Sequence, residues 1–389
     1  MQYIERQIQA ALLRALNRNK SVLLLGPRQT GKTTLLSRIP ADLTLSFVRP
    51  ENRQRFEKEP ELLEKELRAL KSDKELLVIL DEVQKVPALL DITQDLMDRK
   101  VARFILTGSS ARKLRREREV NLLPGRVVSL RLDPFTIQEF PATDITERLL
   151  YGALPGILDV EHNEDRETDL NSYVTTYLEE EVRAEALVRQ MGVFSRFLEL
   201  AASESGRLVN FRKLSQEIGV SHTTISAYYE ILEDCLIVER IESISHSKTR
   251  KKLTKGCKYL FFDLGVRRIT AREGISPPLE HWGVLFEQFV GLELLRGCRA
   301  SLKKQTLRFW RDPDGPEVDW VLEKEGKYLP VEVKWTPSPG VKDIRHLETF
   351  LSEYGGSQKG YIVCRTPRSF TISDRITAIP WQEIQTLLE

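Results

Sequence analysis

Residues Gly26-Pro27-Arg28-Gln29-Thr30-Gly31-Lys32-Thr33 follow the apolar run Val22-Leu23-Leu24-Leu25 and precede Thr34-Leu35-Leu36-Ser37-Arg38-Ile39 at helical spacing. The G-x-x-x-x-G-K-[ST] spacing between a buried strand and a helix start is that of a phosphate-cradling loop, which requires a sheet edge to stand on. Its glycines let backbone N–H groups close around phosphate oxygens, and the helix N-terminus adds the positive end of its dipole. Residues 26–34 are the expected nucleotide contacts, from Gly26, Pro27, Arg28, Gln29 and Thr30 through Gly31, Lys32, Thr33 and Thr34. Lys32 is expected on the β/γ-phosphates and the Thr33 hydroxyl on Mg2+, so ATP and Mg2+ are the expected cofactors.

Such a loop needs a second strand that delivers carboxylates. Leu76-Leu77-Val78-Ile79-Leu80-Asp81-Glu82 is an apolar run ending in two acids, the pattern of a central parallel strand. Asp81 is expected to hold Mg2+, and Glu82 to polarise the attacking water. A core strand running into an acidic turn is the plainer alternative, and the loop upstream argues against it. A third strand, Ala102 to Leu106, ends in Thr107-Gly108-Ser109-Ser110. Ser109 is the candidate sensor of the γ-phosphate or lytic water there, against an ordinary strand-to-loop turn.

At 389 residues the chain has room for two to three domains with their own cores. Lys and Arg number 59 against 57 Asp and Glu, a net charge of +2, so the total does not indicate a partner. No apolar run approaches the ~20 residues that span a bilayer, and Met1 to Arg6 carry no signal-peptide pattern. Cys235, Cys257, Cys298 and Cys364 form no C-x-x-C pair, which argues against a zinc site or disulfide framework. The expectation is a cytoplasmic protein without a membrane segment.

Four regions are expected: an α/β P-loop core of parallel strands over 1–140, a helical lid over 141–190, a winged helix-turn-helix over 191–256, and an α/β domain over 257–389. Arg126 opens another sheet strand, Val127 to Leu130, and is the candidate arginine finger for a neighbouring subunit, with Arg131 second. An exposed arginine without a catalytic role is the equal alternative. In the third region, Ser221 caps a helix from His222 to Asp234 whose polar face is read as His222, Thr223, Thr224, Ser226 and Tyr228. Between Ser243 and Phe262 there is no acid, while Lys248, Arg250, Lys251, Lys252, Lys255 and Lys258 gather there. A solvated loop is the usual meaning of such a run; beside a wing it points to phosphate contact. The helix itself suits backbone or shape recognition better than base readout.

The last region holds Glu317-Val318-Asp319-Trp320-Val321-Leu322, a turn over 324–327, and Tyr328-Leu329-Pro330-Val331-Glu332-Val333-Lys334. As a hairpin, period-2 alternation places Asp319 on one strand and Glu332 with Lys334 on one face of the next. Asp319 and Glu332 are candidate ligands for Mg2+ in phosphodiester cleavage, with Lys334 beside them and Glu287 on an upstream apolar helix. Alternating charge on a solvent-facing hairpin is the competing explanation.

In this order the motifs resemble those of prokaryotic AAA+-type ATPases whose core is followed by a winged helix and a PD-(D/E)xK nuclease-like domain, a family long described as of unknown function. Residues 26–33, 80–87 and 106–110 carry the likeness, with Pro124-Gly125-Arg126, Phe261-Phe262-Asp263-Leu264-Gly265, Gly283 to Glu287 and Glu332-Val333-Lys334. It implies that Glu287, Asp319, Glu332 and Lys334 fall on the nuclease pattern. It also implies a homo-oligomer, ring-like and hexameric in expectation, acting on DNA. Glu179-Glu180-Glu181-Val182-Arg183 departs from the acidic-arginine-acidic helix start of such chains, and no role is carried over to it.

The expected function is thus ATP hydrolysis coupled to DNA, branched or junction DNA in particular, with metal-dependent cleavage as a possible second activity. The alternative is an ATP-dependent regulatory switch that engages proteins through the winged helix and keeps a vestigial nuclease fold.

Overall fold

The computed structural model describes residues 3–70, 74–110, 126–178, 191–244, 256–301, 304–312, 315–354 and 356–389. The chain divides into two compact units, residues 2–133 with 234–236 and residues 134–233 with 237–389.

The first unit is built on five strands: β1 (Ser21–Leu25), β2 (Leu43–Ser46), β3 (Leu76–Asp81), β4 (Ala102–Gly108) and β5 (Val127–Arg131). Their order is β2-β3-β4-β1-β5, and every pairing is parallel. The apolar runs explain this arrangement: β1 is buried along its whole length, as a strand covered on both faces must be. Val22 and Leu24 pack into one core with Leu12, Leu16, Leu35 and Ile105, while Leu23 and Leu25 join Val78, Leu80, Phe104 and Leu106 in the other. Parallel strands end at one edge, so residues 26–33, 81–82 and 107–110 are carried to the same place. The charged stretch over 50–69 forms two helices, Pro50–Lys58 and Leu62–Ala69.

The second unit begins with helices Ile145–Tyr151, Pro155–Leu158 and Asn163–Ser172. Helices Met191–Ser203, Phe211–Ile218 and His222–Asp234 follow, and then the antiparallel pair β6 (Val238–Glu242) and β7 (Cys257–Phe261). Aromatic rings bind these three helices together: Phe194 meets Tyr228 edge-on at 5.0 Å, Phe197 meets Tyr229 at 5.0 Å, and Tyr229 stacks on Tyr259 of β7 at 4.1 Å. Tyr228 is therefore core, not polar face: its ring has aromatic partners that outweigh one hydroxyl.

Six further strands form a mixed sheet: β8 (Thr306–Arg311), β9 (Glu317–Lys324), β10 (Lys327–Val333), β11 (Gly360–Cys364), β12 (Phe370–Ser373) and β13 (Ile376–Pro380). The order is β12-β13-β11-β10-β9-β8, with β10, β11 and β13 parallel and the rest antiparallel. The long helix Leu279–Ala300 packs against Trp320, Leu322, Val331 and Val333, and helix Arg345–Glu353 against Trp310, Val321 and Ile362. Glu325 and Gly326 both have positive φ, 52° and 76°, which is what a two-residue turn between β9 and β10 demands. No helix among the described residues is long and apolar enough to cross a membrane.

Candidate functional site

The loop after β1 is shaped by its two glycines. A Cβ on Gly26 would lie 2.3 Å from the Leu132 carbonyl oxygen, and Gly31 has φ +92°, so neither position accepts a larger residue without strain. Helix Lys32–Leu36 starts directly after Gly31. The buried Lys32 ammonium turns back on the loop, donating to the carbonyls of Gly26 (2.8 Å) and Pro27 (3.0 Å), and lies 3.9 Å from Glu82 Oε1. The Thr30 hydroxyl also donates to Pro27 O at 2.9 Å, while Thr33 and Thr34 are exposed.

The acids at the end of β3 face this loop. Asp81 Oδ2 accepts from Thr33 Oγ1 at 3.4 Å and from Ser46 Oγ at 3.1 Å; Oδ1 accepts from Thr107 Oγ1 at 2.7 Å. The Glu82 amide donates to that same Thr107 oxygen at 2.9 Å. Glu82 has φ +58°, a left-handed conformation that costs a non-glycine residue about 1 kcal/mol or more and that turns its side chain back over the edge. Its Oε2 accepts from Ser109 Oγ (3.1 Å) and from Gln84 Nε2, which also donates to Ser109 Oγ at 3.2 Å. Ser109 is thus engaged with Glu82.

These donors suit a magnesium nucleotide. A buried ammonium, a threonine hydroxyl and an aspartate converge on a glycine-bounded loop, supplying the charge that phosphates need and the hard oxygens that Mg2+ takes. Thr33 and Asp81 would hold the metal, and the loop residues the phosphates.

Two residues at this edge, Gln84 and Arg6, have no role assigned from the sequence, and Thr107 has a different one. Gln84 and Thr107 orient the acids, as described. Arg6, buried, donates from Nη1 to Thr30 O (2.8 Å) and from Nη2 to Asp133 O (2.6 Å), bracing the loop against the end of β5. Its partners stand 24 and 127 positions away, so no local pattern announces it. Arg126 lies elsewhere: it precedes β5 and so belongs to the opposite edge of the sheet, ion-paired with Asp98. Arg131 ends β5 on the loop side and pairs with Asp133 at 2.9 Å.

In the second unit the hairpin β9–β10 pairs Val331 with Trp320, which brings Asp319 and Glu332 to the same end. Asp319 Oδ2 accepts the Val333 N–H at 2.8 Å, and Lys334 Nζ donates to Glu332 Oε1 at 2.7 Å. Glu287, on helix Leu279–Ala300, accepts from Lys258 Nζ at 2.8 Å. Lys258 therefore leaves the basic run it was grouped with: it is buried, because Glu287 and the rings of Trp320 and Phe309 outweigh the cost of desolvation. The rest of that run, from Lys248 to Lys255, lies outside the described residues, as do Glu179 to Arg183.

Burial, then repulsion from Glu332 and Glu287, holds Asp319 well above the usual carboxylate range. Burial also raises Glu332, against the pull of Lys334. Burial alone would lower the Lys258 ammonium, but the Glu287 and Asp319 carboxylates raise it. As it stands this donor set does not fit a bound divalent ion. Glu287 and Glu332 each have an oxygen held by a lysine, the buried Glu332 Oε2 has no hydrogen-bond partner, and no three acids, histidines or cysteines among the described residues are grouped for a metal.

Comparison with known proteins matches three successive stretches of the chain. Residues 18–141 match the model of the AAA domain, 142–277 a Domain of unknown function (DUF8612), and 282–384 a Domain of unknown function (DUF4143). The Uncharacterized protein Rv2008c of Mycobacterium tuberculosis is 29% identical over 399 residues, spanning 98% of this chain and 85% of the relative; Uncharacterized protein Mb2031c of Mycobacterium bovis matches equally. Solved structures include Cdc6p from Pyrobaculum aerophilum (13% identical, TM-score 0.29, 70% of this chain and 96% of that one). Another is McrB from Thermococcus gammatolerans in its hexamers with bound McrC (13%, TM-score 0.21, 65% and 74%). Residues 18–141 resemble an AAA domain in sequence, and their P-loop on a parallel sheet has the form that such a domain needs to hold a nucleotide.

Proposed function

We propose that the chain is an ATP-hydrolysing, DNA-binding AAA+-type ATPase that works as a homo-oligomer on branched or junction DNA. The observation that carries the hydrolytic part is the Glu82 carboxylate, held by Ser109 and Gln84 at the edge where Lys32, Thr33 and Asp81 meet. Lys32 exchanges its loop carbonyls for phosphate oxygens. Asp81 and Thr33 would hold Mg2+, which when bound would neutralise charge on the phosphates. Glu82 accepts hydrogen bonding from the attacking water and orients it. Arg126, at the far edge of its own sheet, would serve only a neighbour's site.

The DNA part is supported by element order: three helices, the last capped by Ser221 Oγ accepting Thr224 N–H at 3.1 Å, then the β6–β7 hairpin, in the sequence of a winged helix-turn-helix. The mixed sheet with Asp319 and Glu332 on a hairpin and Glu287 on the preceding helix supports a PD-(D/E)xK-like topology for 257–389. It enters here as a nuclease-like fold, not as an active nuclease. ATPase rate and binding should be measured across single-stranded, duplex, forked and four-way DNA at two salt concentrations. Forked or four-way DNA should bind and stimulate best, with affinity falling as salt rises. No response to any of them sinks the DNA part.

One observation favours a second reading, a switch that engages a protein. Helix His222–Asp234 contains no lysine or arginine, so it offers phosphate no cation of its own. Proteins that co-purify only with Glu82→Gln, with no DNA affinity at moderate salt, would support that reading.

A further inference from the structure

Lys258 lies on a two-stranded sheet separate from the six-stranded sheet that holds Asp319 and Glu332. It sits on β7, opposite Ile241 of β6, and sends its ammonium 2.8 Å from Glu287 Oε1, with the Trp320 and Phe309 ring centres at 4.9 and 5.4 Å. The strand pair is anchored where it stands. Arg308 of β8 binds Glu242 at 2.8 Å, Arg299 pairs with Glu239, and the Ile244 amide donates to Phe309 O at 2.9 Å. Lys258 is therefore placed by the fold, unlike a surface lysine that finds an acid by chance. Its long stem lies along aromatic surface while the charged end meets a carboxylate, the arrangement in which a buried ammonium is most firmly held.

The charges of the cluster show what this does. With all three carboxylates ionised, Glu287, Asp319 and Glu332 bring three negative charges and Lys258 and Lys334 two positive ones, so the cluster approaches neutrality without a divalent ion. Without Lys258, three carboxylates would face Lys334 alone, an excess of two negative charges beside a buried carboxylate oxygen, Glu332 Oε2, that already lacks a partner. We infer that Lys258 is a built-in counter-ion that closes the Glu287–Asp319–Glu332 cluster to divalent metal, and that removing its charge opens a metal site there. This inference is independent of the nucleotide site.

Mn2+ is the probe, followed by electron paramagnetic resonance and calorimetric titration of the nucleotide-free full chain. Lys258→Met should bind Mn2+ at the cluster more tightly than the native chain, by a factor on the order of ten or more. Adding Asp319→Asn to that variant should abolish the gain, which assigns the site to the cluster, since the P-loop is the same in both. Lys258→Arg should gain nothing. Lys258→Gln, which can still donate to Glu287 without charge, serves as the second opening variant should the methionine not fold, with circular dichroism and thermal unfolding as the check. Native protein that binds Mn2+ through Asp319 as tightly as the opened variants overturns the inference. So do folded Lys258→Met and Lys258→Gln chains that gain no site.

Discussion

The Thr107 hydroxyl donates to Asp81 Oδ1 at 2.7 Å and accepts the Glu82 N–H at 2.9 Å, so one side chain of β4 fixes both acids at the end of β3. Thr107→Val keeps the shape and removes both bonds, leaving a buried carboxylate oxygen and an amide short of a partner at about 1–3 kcal/mol. ATP hydrolysis should fall roughly tenfold or more, and Thr107→Ser should retain most of it. Steady-state rates of the two variants check this, and equal rates would remove Thr107 from the site.

Arg6 spans two carbonyls that a lysine ammonium cannot reach in the same fork geometry. Arg6→Lys should weaken nucleotide affinity by roughly tenfold, about 1.4 kcal/mol, with a smaller effect on the bound rate. Titration with a fluorescent nucleotide, set beside kcat, separates the two. A fall in kcat with affinity intact contradicts the bracing role.

Gly152 and Asp263 approach closely in the second unit. Asp263 Oδ1 accepts the amides of Gly265 (2.9 Å) and Val266 (3.1 Å), capping helix Leu264–Thr270, and Oδ2 accepts Ala153 N–H at 2.7 Å. Gly152 has φ +74°, and a Cβ there would sit 2.0 Å from Asp263 Oδ1. Gly152→Ala combines backbone strain with a steric clash and should cost about 2–4 kcal/mol. Chemical denaturation measures it; a loss below about 0.5 kcal/mol would show that the cap is not rigid.

The hairpin cluster sets a pH dependence. In the folded chain Asp319 and Glu332 titrate above the usual carboxylate range, so the folded state holds more protons than the unfolded one. Stability from this pair is fullest at or below the usual carboxylate range, falls as pH rises through the raised values, and is level beyond them. Asp319→Asn keeps an acceptor for Val333 N–H and removes the repelling charge. It should gain about 1 kcal/mol at neutral pH and flatten the slope. Urea unfolding across acid to neutral pH tests both, and an unchanged slope contradicts the assignment.

What the sequence revealed tracks how local each determinant is. The loop over 26–33 and the acids 81–82 are legible because phosphate binding needs contiguous residues at the end of an apolar strand. The β9–β10 hairpin is legible from alternation around one turn. Arg6 and Gln84 are not, since their roles arise only when parallel strands gather distant loops at one edge; Thr107 is legible as a hydroxyl at that edge, but not as the partner of Asp81 and Glu82. Lys258 reads as one of a run of phosphate-contacting cations until Glu287, 29 positions on, folds beside it. Tyr228 was misread because a hydroxyl marks it as polar while its ring packs on Phe194 and Phe197. For Arg126 the strand start was legible, but the edge it occupies depends on strand direction.

ATP hydrolysis by the purified full chain, measured beside Lys32→Ala and Glu82→Gln with and without four-way DNA, tests the central claim most directly. The native chain should turn over ATP, faster with DNA. Lys32→Ala should lose nucleotide binding, and Glu82→Gln should bind nucleotide and lose hydrolysis by a factor on the order of 10² or more. A native chain that binds no nucleotide, or a Glu82→Gln chain that hydrolyses at the native rate, would contradict it.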